Sequence, residues 1–259
     1  PWHRGGDGPP LVLLHGFTGT WHAWEPIIGR LEARHEVFAP TLPWHAGGPA
    51  IDGGPSLEAL LDGLEAVLDE AGIGTAHLVG NSLGGYAALA LAARGRARTV
   101  TALAPAGGWA EGDPALSETM DFFQRMHGLI LAAAPNVDAM VATPEGRAQA
   151  MQFLTERPEV MSPELVTSMV LGAAGCADAV ELAEMGRGED WSLDPARIEC
   201  PVRMIWGTAD RLLAWPTAAA RYRRDLPTAD WIELEGVGHC PQLDVPLETA
   251  QLILDFTGG

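Results

Sequence analysis

The stretch "LVGNSLGGYAALALAA", residues 78–93, sets Ser82 among Gly80, Gly84 and Gly85, directly after an apolar run and directly before a run of alanine and leucine. Glycine weakens strands and helices alike, because it loses the most backbone entropy and packs nothing. Three of them at a strand-to-helix junction mark a sharp turn that bulky side chains would obstruct. Gly80-Asn81-Ser82-Leu83-Gly84 fits G-x-S-x-G in the setting that gives the pattern meaning, a serine on a strained turn between a strand and a helix. The hydroxyl of such a serine projects above the first helical turn. There the Leu83 N–H and the helix dipole meet developing negative charge. A plain strand-to-helix turn with no chemistry is the competing reading.

The rest of the chain repeats the same alternation. "PPLVLLHG" (9–16), "HEVFAPTLP" (35–43), "AHLVG" (76–80), "TVTALAPAGG" (99–108), "CPVRMIWG" (200–207) and "ADWIELEG" (229–236) read as short strands. Between them, "SLEALLDGLEAVLDEAG" (56–72) carries leucines at helical spacing with Gly72 as its stop. Strands alternating with helices predict an α/β fold, a mainly parallel sheet flanked by helices on both faces. The alternation stalls over 109–190. This long stretch lacks strand runs and holds seven of the eight methionines. It reads as an inserted helical cap, leaving 1–108 and 191–259 as the core. Methionine fills irregular gaps between helices, and on the underside of a cap it also makes an adaptable apolar pocket.

Charge narrows the partners. The chain has 34 acidic residues against 16 basic ones, all arginine, for a formal net charge of −18. That balance disfavours nucleic acid and anionic membrane surfaces and repels polyanionic substrates at long range. No apolar run is long enough to span a bilayer and no signal peptide is visible. Cys176, Cys200 and Cys240 are odd in number and far apart, which fits neither a disulfide framework nor a metal site and suggests a reducing, cytoplasmic setting. The chain begins at Pro1 without an initiator methionine, so a preceding segment is compatible with it.

A serine hydroxyl needs a base, and the base needs an orienting group. Of eight histidines, His239 in "LEGVGHCPQLDVP" alone follows the last strand on a glycine-rich loop. Asp210 in "MIWGTADRLL" also directly follows a strand, whereas Asp244, closer to His239 in sequence, reads as a loop or helix-entry residue. A turn or cap aspartate and a hydrogen-bonded structural histidine are the ordinary alternatives. The chain order Ser82, Asp210, His239 is that of one fold in particular.

With "LVLLHGFTGT", "LVGNSLGGYAA", "PVRMIWGTADRLL" and "GVGHCPQLDVP" in this order, the chain resembles the α/β-hydrolase family over essentially its whole length. The resemblance implies a serine hydrolase of carboxylesterase type, with a helical cap inserted after the sixth strand of the family's sheet and the first strands abbreviated. In the family the residue after "HG" ends the third strand and its amide supplies an oxyanion donor. Here that residue is Phe17, beside Leu83, and His15 becomes structural. The implied catalytic set is Ser82, Asp210 and His239, needing a small-molecule substrate but no cofactor and no metal. The number of subunits is left open.

Trp21, Trp24, Trp44 and Trp109 fall where the fold would place the mouth or the underside of the cap, and Phe123 and Met126 lie within the cap. Trp21, Trp44, Trp109, Phe123 and Met126 are therefore the expected substrate contacts, and they suggest an uncharged, apolar ester or lactone. Relatives that cut carbon–carbon bonds in ring-fission products share the "GNS-x-GG" turn. Here, however, Cys240 stands where they carry tryptophan, and "TLPWHAGGP" replaces the D-x-P-G-x-G-x-S loop of many members. Epoxide hydrolases and dehalogenases of the fold use an aspartate nucleophile, against which Ser82 argues. A ligand-binding protein that keeps the same residues without turnover is the remaining alternative class.

Overall fold

A computed structural model describes residues 1–258. Seven strands form one sheet in the order β1-β3-β2-β4-β5-β6-β7: β1 (Trp2–Gly5), β2 (Pro10–Leu14), β3 (Glu36–Pro40), β4 (Ala76–Asn81), β5 (Ala97–Leu103), β6 (Val202–Gly207) and β7 (Asp230–Leu234). All neighbours pair in parallel except β1, which runs antiparallel to β3 with Trp2 opposite Pro40. The central strands are buried on both faces, which is why they read as unbroken apolar runs. Val12, Leu14, Leu78, Val100, Met204 and Trp206 point to one core. Leu11, Leu13, Val37, Val79, Leu103 and Ile205 point to the other.

Helix α1 (Glu25–Leu31) follows β2, and α2 (Leu57–Glu70) precedes β4. Ser56 caps α2 by accepting the Ala59 N–H at 3.1 Å, and Gly72 closes it at φ 76°. Helix α3 (Leu83–Ala93) follows β4 and is buried all round as far as Ala92, so its Leu-Ala surface carries no polar face. Five helices lie between β5 and β6: α4 (Ala115–Ala133), α5 (Val137–Val141), α6 (Pro144–Met151), α7 (Pro163–Ala174) and α8 (Ala179–Gly188). Their own core of Val137, Met151, Met161, Val166 and Val170 packs on Cys240 and Leu243 of the main body. Helix α9 (Ala220–Asp225) precedes β7, and the short α10 (Pro241–Asp244) leads into α11 (Pro246–Thr257). Among the described residues no single helix is long and apolar enough to cross a membrane, though the bent pair α7 and α8 together meets that length and composition.

One strand is absent from the sequence reading. β1 precedes the apolar run of residues 9–16, so that run is the second strand of this sheet and the helical segment follows the fifth. The four residues of β1 alternate exposed and half-buried at a sheet edge, too short and too polar to show a strand pattern.

Two histidine pairs brace opposite ends of the sheet. His35 and His77, with rings 5.4 Å apart, sit at the amino ends of β3 and β4, where His77 Nδ1 meets Thr99 Oγ1 at 2.9 Å. At the carboxyl ends His15 stacks edge-on to His45 at 5.0 Å. Burial lowers His45 and His77 from 6.5 to about 4, and for His77 the charges of His35 and Arg98 act in the same direction. The unfolded chain therefore takes up these protons before the folded one does, and stability falls as pH drops from about 6.5 towards 4. Thermal unfolding across this window should show Tm declining with acidity, and less steeply in His77→Gln. An identical slope in the variant would contradict this origin of acid sensitivity.

Candidate active site

Ser82 occupies the corner between β4 and α3 with φ 56° and ψ −118°, a conformation costly for any residue with a Cβ. Close packing enforces it. A Cβ on Gly80 would run into the Gly84 carbonyl, and one on Gly84 into the Leu14 carbonyl at the end of β2. The turn is pinned by the Ser82 N–H donating to Leu103 O at 3.0 Å, while Ser82 O accepts the Ala106 N–H at 3.0 Å. The side chain is 5% exposed.

The β2 loop arrives beside it. A Cβ on Gly16 would stand 3.2 Å from Ser82 Cβ, which places Phe17 next to the serine. His15 fixes this loop. Its Nε2 accepts the Leu42 N–H at 2.9 Å, so Nδ1 carries the proton and donates to Gly16 O at 2.8 Å. Complete burial holds His15 well below the usual histidine range, neutral and bonded on both sides. The Leu83 amide opens α3 and has no carbonyl of an earlier turn to bond. Neither it nor the Phe17 amide has a hydrogen-bond partner among the described residues.

His239 and Asp210 come together from loops that are 29 residues apart, with Nδ1 to Oδ2 at 2.8 Å and both side chains buried. Asp210 Oδ1 is held by the Leu212 and Leu213 N–H groups, each at 2.8 Å. This aims the carboxylate at the imidazole and sets the tautomer, with the proton on Nδ1 and a lone pair on Nε2. Asn81 links the pair to the serine turn: its Nδ2 donates to His239 O and to Leu103 O, each at 3.0 Å. No hydrogen bond joins Ser82 Oγ to His239 among the described residues. Cys240 donates its Sγ–H to Asn81 Oδ1 at 3.2 Å. Burial, then the charges of Asp210 and Asp244, push its thiol well above the ordinary range, so it is no rival nucleophile.

Ser82, Phe17, Leu83, Trp109 and Phe123 share the wall of a small chamber of about 20 Å³, with room for about one water. Phe17, Phe123 and Met126 line a second cavity of about 380 Å³ under the helical segment, within the range of roughly 300–1,000 Å³ usual for small-molecule sites. Trp21 and Trp44, expected at the substrate, stand on neither wall. Trp21 stacks on His22 and His3 at 4.1 and 5.4 Å. Trp44 is core, with φ 60° in the loop after β3. Trp24 is wholly buried. In all three, packing of the β2 and β3 loops claims the ring.

Asp244 is more than a helix-entry residue. It is buried, and its Oδ2 accepts the Gly238 N–H at 2.6 Å beside His239. Its Oδ1 accepts the Glu156 and Arg157 N–H groups at 2.7 and 2.9 Å and the Thr155 hydroxyl. One carboxylate thus fastens the histidine loop to the segment between α6 and α7. Three of its four donors lie almost ninety residues away, and the only sequence signal is an acid closely following the histidine.

The alpha/beta hydrolase family model matches residues 11–252. The chain belongs to that family. It is 30% identical over 202 residues to the epoxide hydrolase EphH of Mycobacterium tuberculosis, covering 78% of this chain and 94% of that one. It is also 30% identical over 270 residues to a pimeloyl-[acyl-carrier protein] methyl ester esterase of Aromatoleum aromaticum, covering 97% and 99%. An enol-lactonase from Burkholderia xenovorans superposes with a TM-score of 0.74 at 20% identity, over 100% of this chain and 96% of the other. These three proteins are hydrolases of differing substrates by name, and the choice among such activities rests on the residues.

Replacing Asp244 by alanine strands the Gly238 and Glu156 N–H groups and the Thr155 hydroxyl and leaves the Arg157 N–H only Thr155 Oγ1, at a cost on the order of 3 kcal/mol. Urea unfolding should register a loss of that order for Asp244→Ala and a smaller one for Asp244→Asn, which keeps the shape and one acceptor. Equal stabilities for both variants and the parent would remove Asp244 from this role.

Proposed function

We propose that this chain is a serine hydrolase of uncharged, largely apolar carboxylic esters or lactones, with Ser82 as nucleophile, His239 as base, Asp210 as its orienting group, and the helical segment over 109–190 as a cap. The reading is carried by one observation: a serine on a strained turn beside two unengaged amides, with an imidazole–carboxylate pair tied to the same turn through Asn81.

His239 Nε2 takes the Ser82 proton as Oγ attacks the ester carbonyl, and Asp210 stabilises the imidazolium. The Phe17 and Leu83 amides receive the oxyanion, each such donor being worth roughly 3–4 kcal/mol. The proton passes to the departing alcohol, leaving an acyl-serine. Water, deprotonated by His239, then attacks the acyl carbonyl, releasing the acid and restoring the hydroxyl. The Ser–His hydrogen bond is of the kind that tightens only in the substrate complex.

Uncharged substrates fit because neither cavity wall includes an arginine or an acidic residue among the described residues. A substrate carboxylate buried there would meet no guanidinium, only the uncharged side chains of residues such as Gln149 and Gln152 and the imidazole of His127. The same lack disfavours ring-fission products, which carry carboxylates, although the "GNSLGG" turn is shared with enzymes that cleave them. Epoxide opening by a serine would leave an ether that water does not cleave, whereas a carboxylate nucleophile leaves a hydrolysable ester. Ser82 therefore favours acyl transfer despite the likeness to EphH.

The wild type should release p-nitrophenol from p-nitrophenyl esters with steady-state turnover, and leave an epoxide and a dienol ring-fission product untouched. Ser82→Ala should lower kcat on the order of 10⁴–10⁶-fold with its Tm preserved. An active Ser82→Ala, or preferred turnover of the epoxide or dienol, would overturn the reading. Ligand binding without steady-state release would mark a binding protein instead.

A further inference from the structure

The two cavities meet at a single pair of side chains. Among the described residues Phe17 and Phe123 alone line both, and their rings stack with centroids 4.6 Å apart and planes inclined by 29°. On one side of the stack lies the chamber of about 20 Å³ that holds Ser82. On the other lies the cavity of about 380 Å³, whose mouth is rimmed by Leu129, 63% exposed. The serine chamber admits little beyond a water, while the space able to hold an organic chain does not touch Ser82. Resting on the hydrolase reading above, we infer that the Phe17–Phe123 stack is a gate, and that the larger cavity seats the apolar chain of the substrate once the gate opens.

Three features support this assignment. Helix α4 carries Met120 on the serine chamber, Phe123 at the stack, and Met126, Ile130 and Ala133 on the larger cavity. These positions recur every three or four residues, so one helical face runs from one chamber into the other, a track along which a chain extends. Both rings are only half-buried, so close packing does not lock them. Finally, Phe17 is the residue whose amide faces the serine, so displacing its ring opens a path at the point where the ester carbonyl must sit. Thr18, Thr20, His127, Gln149 and Gln152 supply the few polar side chains of an otherwise apolar lining.

A closed gate taxes every organic ester, because only the open fraction of molecules accepts one at Ser82. Phe123→Ala removes the door. It should raise kcat/KM for p-nitrophenyl octanoate by about tenfold, a factor equal to shifting the open fraction from a tenth to nearly all. Ala133→Trp, which fills the far cavity, should lower the ratio of kcat/KM for p-nitrophenyl octanoate to that for p-nitrophenyl acetate by a similar factor. A parallel series of alkyl acetates tells whether the chain belongs to the acyl or the alcohol side. Should Phe123→Ala misfold, Phe123→Leu provides the same comparison with a smaller void. An octanoate kcat/KM unchanged in Phe123→Ala would overturn the gate, and an octanoate-to-acetate ratio unchanged in Ala133→Trp would overturn the seat in the larger cavity.

Binding separates this inference from the reading beneath it. The uncharged fluorophore N-phenyl-1-naphthylamine should bind the Ser82→Ala protein, and at least tenfold more weakly once Ala133→Trp is added. If no ester is turned over yet this loss is seen, the hydrolase reading falls and the apolar site stands. If esters are turned over and the fluorophore binds both proteins equally, the site falls alone.

Discussion

Two backbone approaches hold the rest of the structure in place. Gly80 and Gly84 let the end of β4 and the start of α3 press against each other and against the Leu14 carbonyl of β2, at distances no side chain would permit. That contact forces Ser82 to φ 56° and lifts its hydroxyl off the sheet. It also brings the loop after β2, with Phe17, against the first turn of α3. The strain at one residue is sustained by the packing of three elements. The same packing makes a serine flanked by two amide donors a by-product of how the sheet meets its helix. Everything proposed about chemistry starts from this corner.

The second organising element is a pair of buried carboxylates with different tasks. Asp210 is braced by two backbone N–H groups and spends its other oxygen on His239. Asp244 spends both oxygens on four donors, joining the histidine loop to the stretch around residues 155–157. Arg211, next to Asp210, reaches the same stretch through Glu156 at 2.6 Å. In a low-dielectric interior an anion persists only when its lone pairs are engaged, and each of these is. The consequence is mechanical: the helices above the site are anchored through the loops that carry the imidazole and its carboxylate.

What the sequence made legible follows from range. The buried strands show as apolar runs because both of their faces are covered. The serine corner shows as glycines because close backbone approach has a compositional mark, and the Asp210–His239 pairing shows because each residue directly follows a strand. Where a contact depends on partners far along the chain, no such mark exists. β1 is four residues at an edge. Asp244 looked like a residue entering a helix until its donors near residue 155 were seen. Trp21, Trp24 and Trp44 looked available for substrate, but the loops that carry them turn the rings into the body of the protein, while Trp109 and Phe123 reach the chamber wall. Tryptophan composition does not reveal which way a loop folds.

The claim on which the account turns is that Ser82 Oγ is an activated nucleophile facing an accessible electrophile site. Peptide-level mass spectrometry after treatment with an uncharged fluorophosphonate ester measures that directly. The account predicts one stoichiometric phosphonyl adduct, carried by the peptide containing Ser82 and lost when His239 is replaced by alanine. An intact protein left unlabelled, or an adduct on another residue such as Cys240, would contradict it.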